Sequence, residues 1–197
     1  KDHPLDASGW ENISFTGRWP IGVVDYASDK TPLKVRLEAY SPFIPLDLEA
    51  SSLPLTVLEY TVENPSDQAA EITLTGHLNN PAGQFSKREA MRFTEAFAEN
   101  GITGLLHGLR IPDGTEPAPD DGSMAIAALT SSGAKADTTG QSIRVTTTIP
   151  AKGKTTLRFA IAWHFPNLSH KLGLGKVRRH YAAKFPDARA VLHHFAS

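Results

Sequence analysis

The chain has 197 residues, enough to bury a hydrophobic core without disulfides or metal ions. Its 20 Lys and Arg residues nearly balance 21 Asp and Glu residues, and no run of five like charges occurs, which argues against nucleic acid and anionic membrane surfaces as partners. The absence of cysteine excludes disulfides, thiolate metal sites and thiol nucleophiles.

Alternation of apolar and polar residues with a period of two is the main pattern along the chain. The first clear example is 33–39, where apolar residues take one face and charged residues the other, as a strand over a core requires. The same pattern predicts half-buried antiparallel strands in three later segments, 72–78, 143–149 and 157–163. Weaker alternation marks further candidates at 13–15, 21–26, 55–62, 90–93, 102–106 and 124–129. Many strands without interleaved helices predict an all-β fold, a large antiparallel β-sandwich spanning residues 1–170.

Turn-forming sequences separate these segments. The tetrapeptides at 64–67 (Asn-Pro-Ser-Asp) and 150–153 (Pro-Ala-Lys-Gly) lie between alternating runs, and we expect hairpins there. The stretch from 112 to 122 is rich in Pro, Asp and Gly and predicts a surface loop. Between 41 and 54, three prolines each remove a ladder donor and fix φ, so we expect a rigid, irregular loop joining two strands.

From Lys176 the spacing of the apolar residues becomes helical. Val177, Tyr181 and Phe185 follow this spacing, and Pro186-Asp187 offers a start for a second helical segment. We therefore assign 171–197 to a helical tail or linker segment that leads into another domain. A C-terminal helix lying across one sheet is the alternative interpretation.

The eight histidines raise the question of a metal site. His164 and His170 are separated by a Pro-Asn loop, and the adjacent His193 and His194 would diverge by about 100° on a helix. Neither spacing matches a known ligand motif, and no cofactor-binding motif is present. The sequence therefore predicts no metal and no cofactor. No apolar run approaches the roughly 20 residues needed to span a bilayer, so no transmembrane segment is predicted.

No motif nominates a catalytic group. A Gly-x-Ser-x-Gly nucleophile elbow is missing. Paired carboxylates can hydrolyse a glycosidic bond when they face each other across a sugar ring, and the candidates by proximity are Asp120 with Asp121 and Asp47 with Glu49. Both pairs lie in or beside polar loop sequence, where we expect solvated carboxylates with ordinary pKa values. We therefore assign no catalytic residue.

Two stretches of the chain are specific enough to compare with known families, Ser-Pro-Phe-Ile-Pro-Leu at 41–46 and Ser-Ser-Leu-Pro at 51–54. Together with the segments 18–26, 32–47, 59–64 and 163–167 and the helical tail, they resemble the N-terminal domain of glycoside hydrolase family 116. That family includes the non-lysosomal glucosylceramidases and bacterial β-glucosidases. One departure lies at 136–142, where this chain passes almost directly into the next strand; either the loop is shorter than in the family or residues are missing.

The resemblance implies a division of labour within a longer protein. It implies that the β-sandwich packs on an (α/α)6 barrel of the same parent chain, and that both catalytic carboxylates belong to the barrel. We therefore expect a non-catalytic domain of a β-glucosidase or glucosylceramidase, whose partners are the barrel and, at the cleft that it shapes, the glucoside substrate. Nucleic acid is not an expected partner.

Irregular and partly apolar loops are the best candidates for that contact. We select six interdomain or cleft-facing residues: Trp19, Phe43, Ile44, Trp163, His164 and Asn167. Two alternative functions stay open. An independent carbohydrate-binding module would expose coplanar aromatic rings, and a complete small hydrolase would bury two facing carboxylates.

Overall fold

The computed structural model describes residues 3–130, 134–168 and 177–197. Within these ranges the strands are β1 (Asn12–Arg18), β2 (Ile21–Ser28), β3 (Thr31–Tyr40), β4 (Leu55–Glu63), β5 (Ala70–His77), β6 (Arg92–Glu99), β7 (Ile102–Leu109), β8 (Ser123–Leu129), β9 (Lys135–Thr139), β10 (Ser142–Ile149) and β11 (Lys154–His164). The helices are α1 (Leu48–Ser51) and α2 (Ala188–Ala196), with 3₁₀ turns at Glu89–Met91 and His180–Ala183. No helix of this described part of the chain is long and apolar enough to cross a membrane.

The strands form two sheets in which every pairing is antiparallel. The large sheet has eight strands in the order β1-β2-β3-β4-β11-β8-β7-β6, and the small sheet has the order β5-β10-β9. The predicted all-β sandwich with a short C-terminal helix is therefore confirmed.

Several segments differ from the sequence prediction. The expected hairpins at 64–67 and 150–153 are wrong, because each of these connections joins a strand of the large sheet to a strand of the small sheet. The candidate at 90–93 falls across the 3₁₀ turn Glu89–Met91, and β6 runs over 92–99 instead. Its alternation is hidden because Phe93 and Phe97 share a face with two glutamates. At 136–142 the chain makes a two-residue hairpin turn between β9 and β10, in which Ser142 pairs with Thr139 and Gly140 has a φ of 60°. The short connection is thus closed by a glycine in the left-handed region.

The small sheet covers one face of the large sheet. Leu105, Ile126 and Phe159 of the large sheet pack there against Ile143 and Val145 of β10, and all five side chains are buried. Beside this cluster the N-terminal segment adds Trp10, whose ring meets Tyr26 edge-on at 6.0 Å, over Val35, Val62 and Ile149. Each large side chain buried in this way stabilises the fold by roughly 1.5–3 kcal/mol.

Helix α2 covers part of the opposite face. Its apolar residues Ala188, Val191 and Leu192 are fully buried, and they lie over alanines of β8 and β11. The floor under the helix consists of Ala125, Ala127, Ala160 and Ala162, each with no exposed surface. Side chains this small let the helix backbone approach the sheet closely.

Polar contacts fix the C-terminal segment in place. Asp187 caps α2, since its Oδ1 accepts a hydrogen bond from the Ala190 N–H at 2.8 Å, and the Ala188 N–H donates to Ser123 Oγ at 3.0 Å. The segment thus lies across a sheet, which is the alternative interpretation named above. The predicted boundary between 170 and 171 falls outside the described residues, and the division into two parts there stays a prediction.

The two ends of the sandwich are built differently. At one end, here called the turn end, the connections are 29–30, 64–69, 100–101 and 150–153. The other end, here called the loop end, carries the two-residue turns at 19–20 and 140–141 and the longer connections 41–54, 78–91 and 110–122. The chain after β11 also begins there. All six predicted site residues belong to connections or strand ends at the loop end.

Candidate functional site

The loop end carries a group of exposed apolar residues around the β1–β2 turn. Trp19 is 78% exposed and its ring meets that of Phe43 at a centroid distance of 4.5 Å and an interplanar angle of 69°. Ile44, Leu46 and Leu48 of the 41–54 loop are also exposed. We call these five residues the apolar cluster. The ring contact joins two of the six predicted residues, Trp19 and Phe43, and a third, Ile44, follows Phe43 in the chain.

The 41–54 loop is held in a fixed shape by its own polar groups. Ser51 Oγ donates to the Ile44 carbonyl at 2.9 Å and accepts from the Ile44 N–H at 3.0 Å. Asp47 caps α1 through a 2.9 Å hydrogen bond from the Ala50 N–H. Between them, Leu46 adopts a left-handed φ of 68° and projects fully into solvent. The loop therefore presents its apolar side chains from a preformed scaffold.

The other three predicted residues lie where β11 ends. Trp163 is half-buried, and its N–H donates to the Pro54 carbonyl at 2.9 Å, which ties this strand end to the 41–54 loop. His164 is 4% exposed, and its Nε2 has no hydrogen-bond partner among the described residues. Asn167 Nδ2 donates to the Ala118 carbonyl at 3.0 Å.

Burial changes the acid–base behaviour of His164. Loss of solvent lowers the pKa of its imidazole, because the charged form is disfavoured in a buried site. The Tyr181 ring lies 5.6 Å away, and the Tyr181 hydroxyl donates to the Phe165 carbonyl at 3.1 Å. Arg179 donates to the carbonyls of Phe165 and Asn167. The C-terminal segment thus holds the strand end in place. The carboxylate of Asp187 and the backbone of Phe185 in this segment act to raise the pKa of His164, but burial outweighs them.

A cavity of about 950 Å³ lies between this strand end and the C-terminal segment. Its lining is mixed: Phe93 and Leu106 are apolar, while Asp121, Arg178 and Asp187 are charged. His164 and Asn167 also line it. Asp121 is 6% exposed, and one of its oxygens accepts hydrogen bonds from Arg88 and from the Ala118 N–H, while Oδ1 has no partner among the described residues.

The four carboxylates considered for catalysis each shape a loop. Asp121 pairs with Arg88, and Asp47 caps α1. Asp120 Oδ2 accepts from the N–H groups of Phe85 and Ser86; burial raises the pKa of this carboxyl, but these hydrogen bonds outweigh it and lower the pKa overall. Glu49 bonds to Lys184 at 2.9 Å and to His180 at 3.1 Å, and Lys184 above all lowers its pKa.

The histidines do not gather around a common point in the described ranges. No group of three or more His, Asp or Glu side chains there is placed to hold a metal ion. His193 Nε2 bonds to Glu99 at 2.8 Å, while His194 packs beside the Phe185 ring. His170, paired with His164 in the sequence analysis, lies outside the described residues.

Sequence reasoning missed several residues of the loop end. Phe85 in the 78–91 connection is 87% exposed, and Leu46 and Leu48 were not selected. An apolar residue inside a polar, Gly- or Pro-bounded loop is the signal that nominated Phe43, and it would have found these three. Arg88 and Asp121 are 33 residues apart in the sequence, and no local sequence pattern predicts their pairing.

Comparison with known proteins gives one family. The family model described as "beta-glucosidase 2, glycosyl-hydrolase family 116 N-term" matches residues 1–138 and 121–197, which together span the chain. No curated protein is significantly similar in sequence. Among solved structures, a putative kojibiose phosphorylase from human microbiome aligns with 87% of this chain at 12% identity and a TM-score of 0.45. The chain corresponds to 22% of the length of that protein.

Proposed function

The chain belongs to glycosyl-hydrolase family 116 as its N-terminal domain, and we propose that it is a non-catalytic domain that packs through its loop end on the catalytic barrel of the same parent chain. On this proposal the loop end also shapes the rim of the cleft in which the barrel binds a β-glucoside or glucosylceramide. The parent protein, rather than this chain, supplies the carboxylates that cleave the glycosidic bond.

The observation that carries the proposal is the uneven distribution of exposed apolar side chains. Ten large apolar residues are exposed in the described ranges, and all of them except Ile13 and Phe15 lie at the loop end. None of the ten lies in a connection of the turn end. Monomeric proteins rarely expose large contiguous apolar patches, and such patches usually mark an interaction surface.

The rigidity of the loop end supports the same conclusion. Binding costs less when the contacting loops are already ordered, and Ser51 and Asp47 hold the 41–54 loop through hydrogen bonds of 2.9–3.0 Å. Tryptophan is among the residues that contribute most to protein interfaces. Trp19, supported edge-on by Phe43, is therefore the expected anchor of the contact.

An independent carbohydrate-binding module is the alternative, and the ring geometry gives it less support. A sugar-binding platform needs rings that lie in one plane, whereas Trp19 and Phe43 meet at 69°. Binding of a β-glucan by this chain alone, lost in Trp19→Ala, would favour the alternative over the accessory role.

Hydrolysis of an aryl β-glucoside tests the proposal. We would assay the 197-residue chain beside the full-length parent protein, both repurified to constant specific activity. Turnover is expected only from the parent. Turnover by the 197-residue chain itself would contradict the proposal and direct attention back to its carboxylates.

The contact surface is tested in the parent protein with Trp19→Ala combined with Phe43→Ala. Loss of two anchor rings is expected to lower kcat/KM or the barrel's Tm, with a roughly tenfold or larger effect on domain association. Asp67→Ala is the control, because the Asp67 side chain is 89% exposed and lies in a connection at the turn end. Equal behaviour of the double variant and the control would contradict the docking role of the apolar cluster.

A further inference from the structure

Strand β1 forms one edge of the large sheet and is exposed along its whole length. All seven residues from Asn12 to Arg18 are exposed. β2 pairs with one side of β1, and no described strand pairs with the other. Every second residue of an edge strand directs its backbone N–H and C=O outward, so β1 offers a row of unpaired groups to an incoming strand.

The other sheet edges differ from β1 in charge. β6 carries Arg92, Glu95 and Glu99, and the small sheet ends in β9, with Lys135 and Asp137, and in β5, with Glu71. Charges on an edge strand oppose pairing with another chain. β1 carries a single charge, Arg18, at its last residue. β5 also carries a single charge, but every second residue of β5 is partly buried, whereas all of β1 is exposed. β1 is therefore the least protected of the four edges.

We propose that β1 is the site at which a second copy of this chain adds, forming a two-fold symmetric dimer with one continuous antiparallel sheet. In such a dimer only the residue on the two-fold axis faces its own symmetry mate. Every other residue lies opposite the residue equally far from the axis on the other side, and opposite residues share a face of the sheet. A register centred on Phe15 is the one that pairs all seven residues of β1 with seven residues of the second copy.

The side chains of β1 complement each other in this register. Phe15 lies opposite Phe15 of the partner subunit, and aromatic pairs across strands are favourable. Ile13 lies opposite the partner subunit's Gly17, which is covered by the Phe15 ring of its own chain, so Ile13 meets that ring. Arg18 lies opposite Asn12 of the partner subunit, so like charges do not oppose each other. Both faces of the added strand are therefore matched by the same sequence.

The surface beside Phe15 is shaped to receive this contact. Its ring lies over Gly17 and Gly22, where an added methyl group would sit 3.2–3.4 Å from ring atoms. Gly17 and Gly22 are paired across β1 and β2. The ring thus lies flat against backbone, and its outer edge is free to contact the partner subunit's Ile13. A strand of unrelated sequence would not supply this match, which is why we assign the edge to a second copy.

Light scattering coupled to gel filtration tests the dimer directly. The wild-type chain is expected to show twice its 21.3 kDa mass at high concentration and to dissociate on dilution. Phe15→Lys and Phe15→Glu are each expected to be monomeric at every concentration, because like charges would face each other at the axis. An equimolar mixture of the two variants is expected to restore the dimer, since Lys then faces Glu.

Ala98→Lys is the matched control, because Ala98 is an exposed residue on the other edge strand of the same sheet. This variant is expected to remain dimeric. Far-UV circular dichroism and Tm would show that each variant is folded. The proposal would be overturned by a wild-type chain that stays monomeric at concentrations of about 100 μM. It would also be overturned if the oppositely charged variants Phe15→Lys and Phe15→Glu did not associate when mixed.

Discussion

The two ends of the sandwich are closed in different ways. At the turn end the connections are short, from two residues at 100–101 to six at 64–69. At the loop end the connections 41–54, 78–91 and 110–122 each exceed ten residues, although most connections in compact domains have about four to six. Long ordered loops on a rigid scaffold usually carry function. The turn end is thus closed by short connections, whereas the loop end carries three long, ordered loops.

The polar groups of the two ends show the same contrast. At the turn end Asn64 is fully buried; its Nδ2 donates to the carbonyls of Gln68 and Pro150, and its Oδ1 accepts from Ser66. At the loop end His164 Nε2 and Asp121 Oδ1 are buried without a partner in the described ranges. Buried polar groups are normally satisfied. Asn64 thus satisfies the polar groups of its connection, whereas His164 and Asp121 do not. The contrast is not complete, because Trp10 Nε1, which packs near Ile149 toward the turn end, is also buried without a partner among the described residues.

The largest effect is expected from Asn64→Leu at the turn end. This change removes the side-chain bonds that tie the 64–69 connection to 150–153, and it leaves buried backbone groups unsatisfied. Urea denaturation should show a loss of about 3 kcal/mol of unfolding free energy. Asp67→Ala, at an 89% exposed side chain in the same connection, should change stability by less than about 0.5 kcal/mol. If both variants were equally stable, the hydrogen bonds of Asn64 would not stabilise the turn end.

A pH titration probes the loop end. His164 and His107 are both buried near the strand ends there, and burial lowers the pKa of each imidazole in the folded state. The unfolded chain binds protons near pH 6.5, before the folded chain does. Stability is therefore full above pH 7 and should fall as the pH drops below about 6.5, by at most about 1.4 kcal/mol per pH unit for each histidine.

Replacing one buried histidine separates this effect from general acid denaturation. His164→Phe should flatten the decline of Tm between pH 7 and pH 5. Trp163→Phe, at the neighbouring half-buried residue, removes no titratable group and should leave the decline unchanged. An identical pH profile for the wild type and His164→Phe would mean that the buried imidazole does not couple stability to pH.

The smallest effect is expected from Leu46→Gly in the apolar cluster. Leu46 has a φ of 68° and is fully exposed, so glycine relieves backbone strain while it adds freedom to the unfolded chain. The net change in unfolding free energy should stay below about 1 kcal/mol. Association with the barrel should nevertheless weaken in the parent protein. A large loss of stability would place the loop in the folding core rather than on a docking surface.

The sequence predicted the scaffold better than the site. Strands with one apolar face, such as 33–39 and 157–163, were found because period two survives wherever one face is buried. β6 was misplaced and β9 was missed, because Phe93 and Phe97 share their face with glutamates and 135–139 is largely polar. The order of the strands could not be predicted, because it depends on pairing between distant segments. The same holds for which strands belong to the small sheet.

The site could be predicted only where composition marks it. The prolines of 41–54 and the Trp19-Pro20 boundary gave Trp19, Phe43 and Ile44, and the structure brings the rings of Trp19 and Phe43 into contact. The burial of His164 depends on Tyr181 and on the C-terminal segment that covers it, so its altered pKa has no local sequence signal. The interdomain role of all six selected residues stays a prediction.

The alanine floor beneath α2 also determines how the molecule would respond to force. The helix rests on β8 and β11, two inner strands of an eight-stranded sheet, and the strands contribute only alanine methyl groups beneath its buried Val191 and Leu192. Tension applied at Ser197 would therefore enter near the middle of the sheet, where several ladders share it, and not at a single edge strand that could peel away. A bulkier residue at Ala125 or Ala160 would lift the helix and break this mechanical connection.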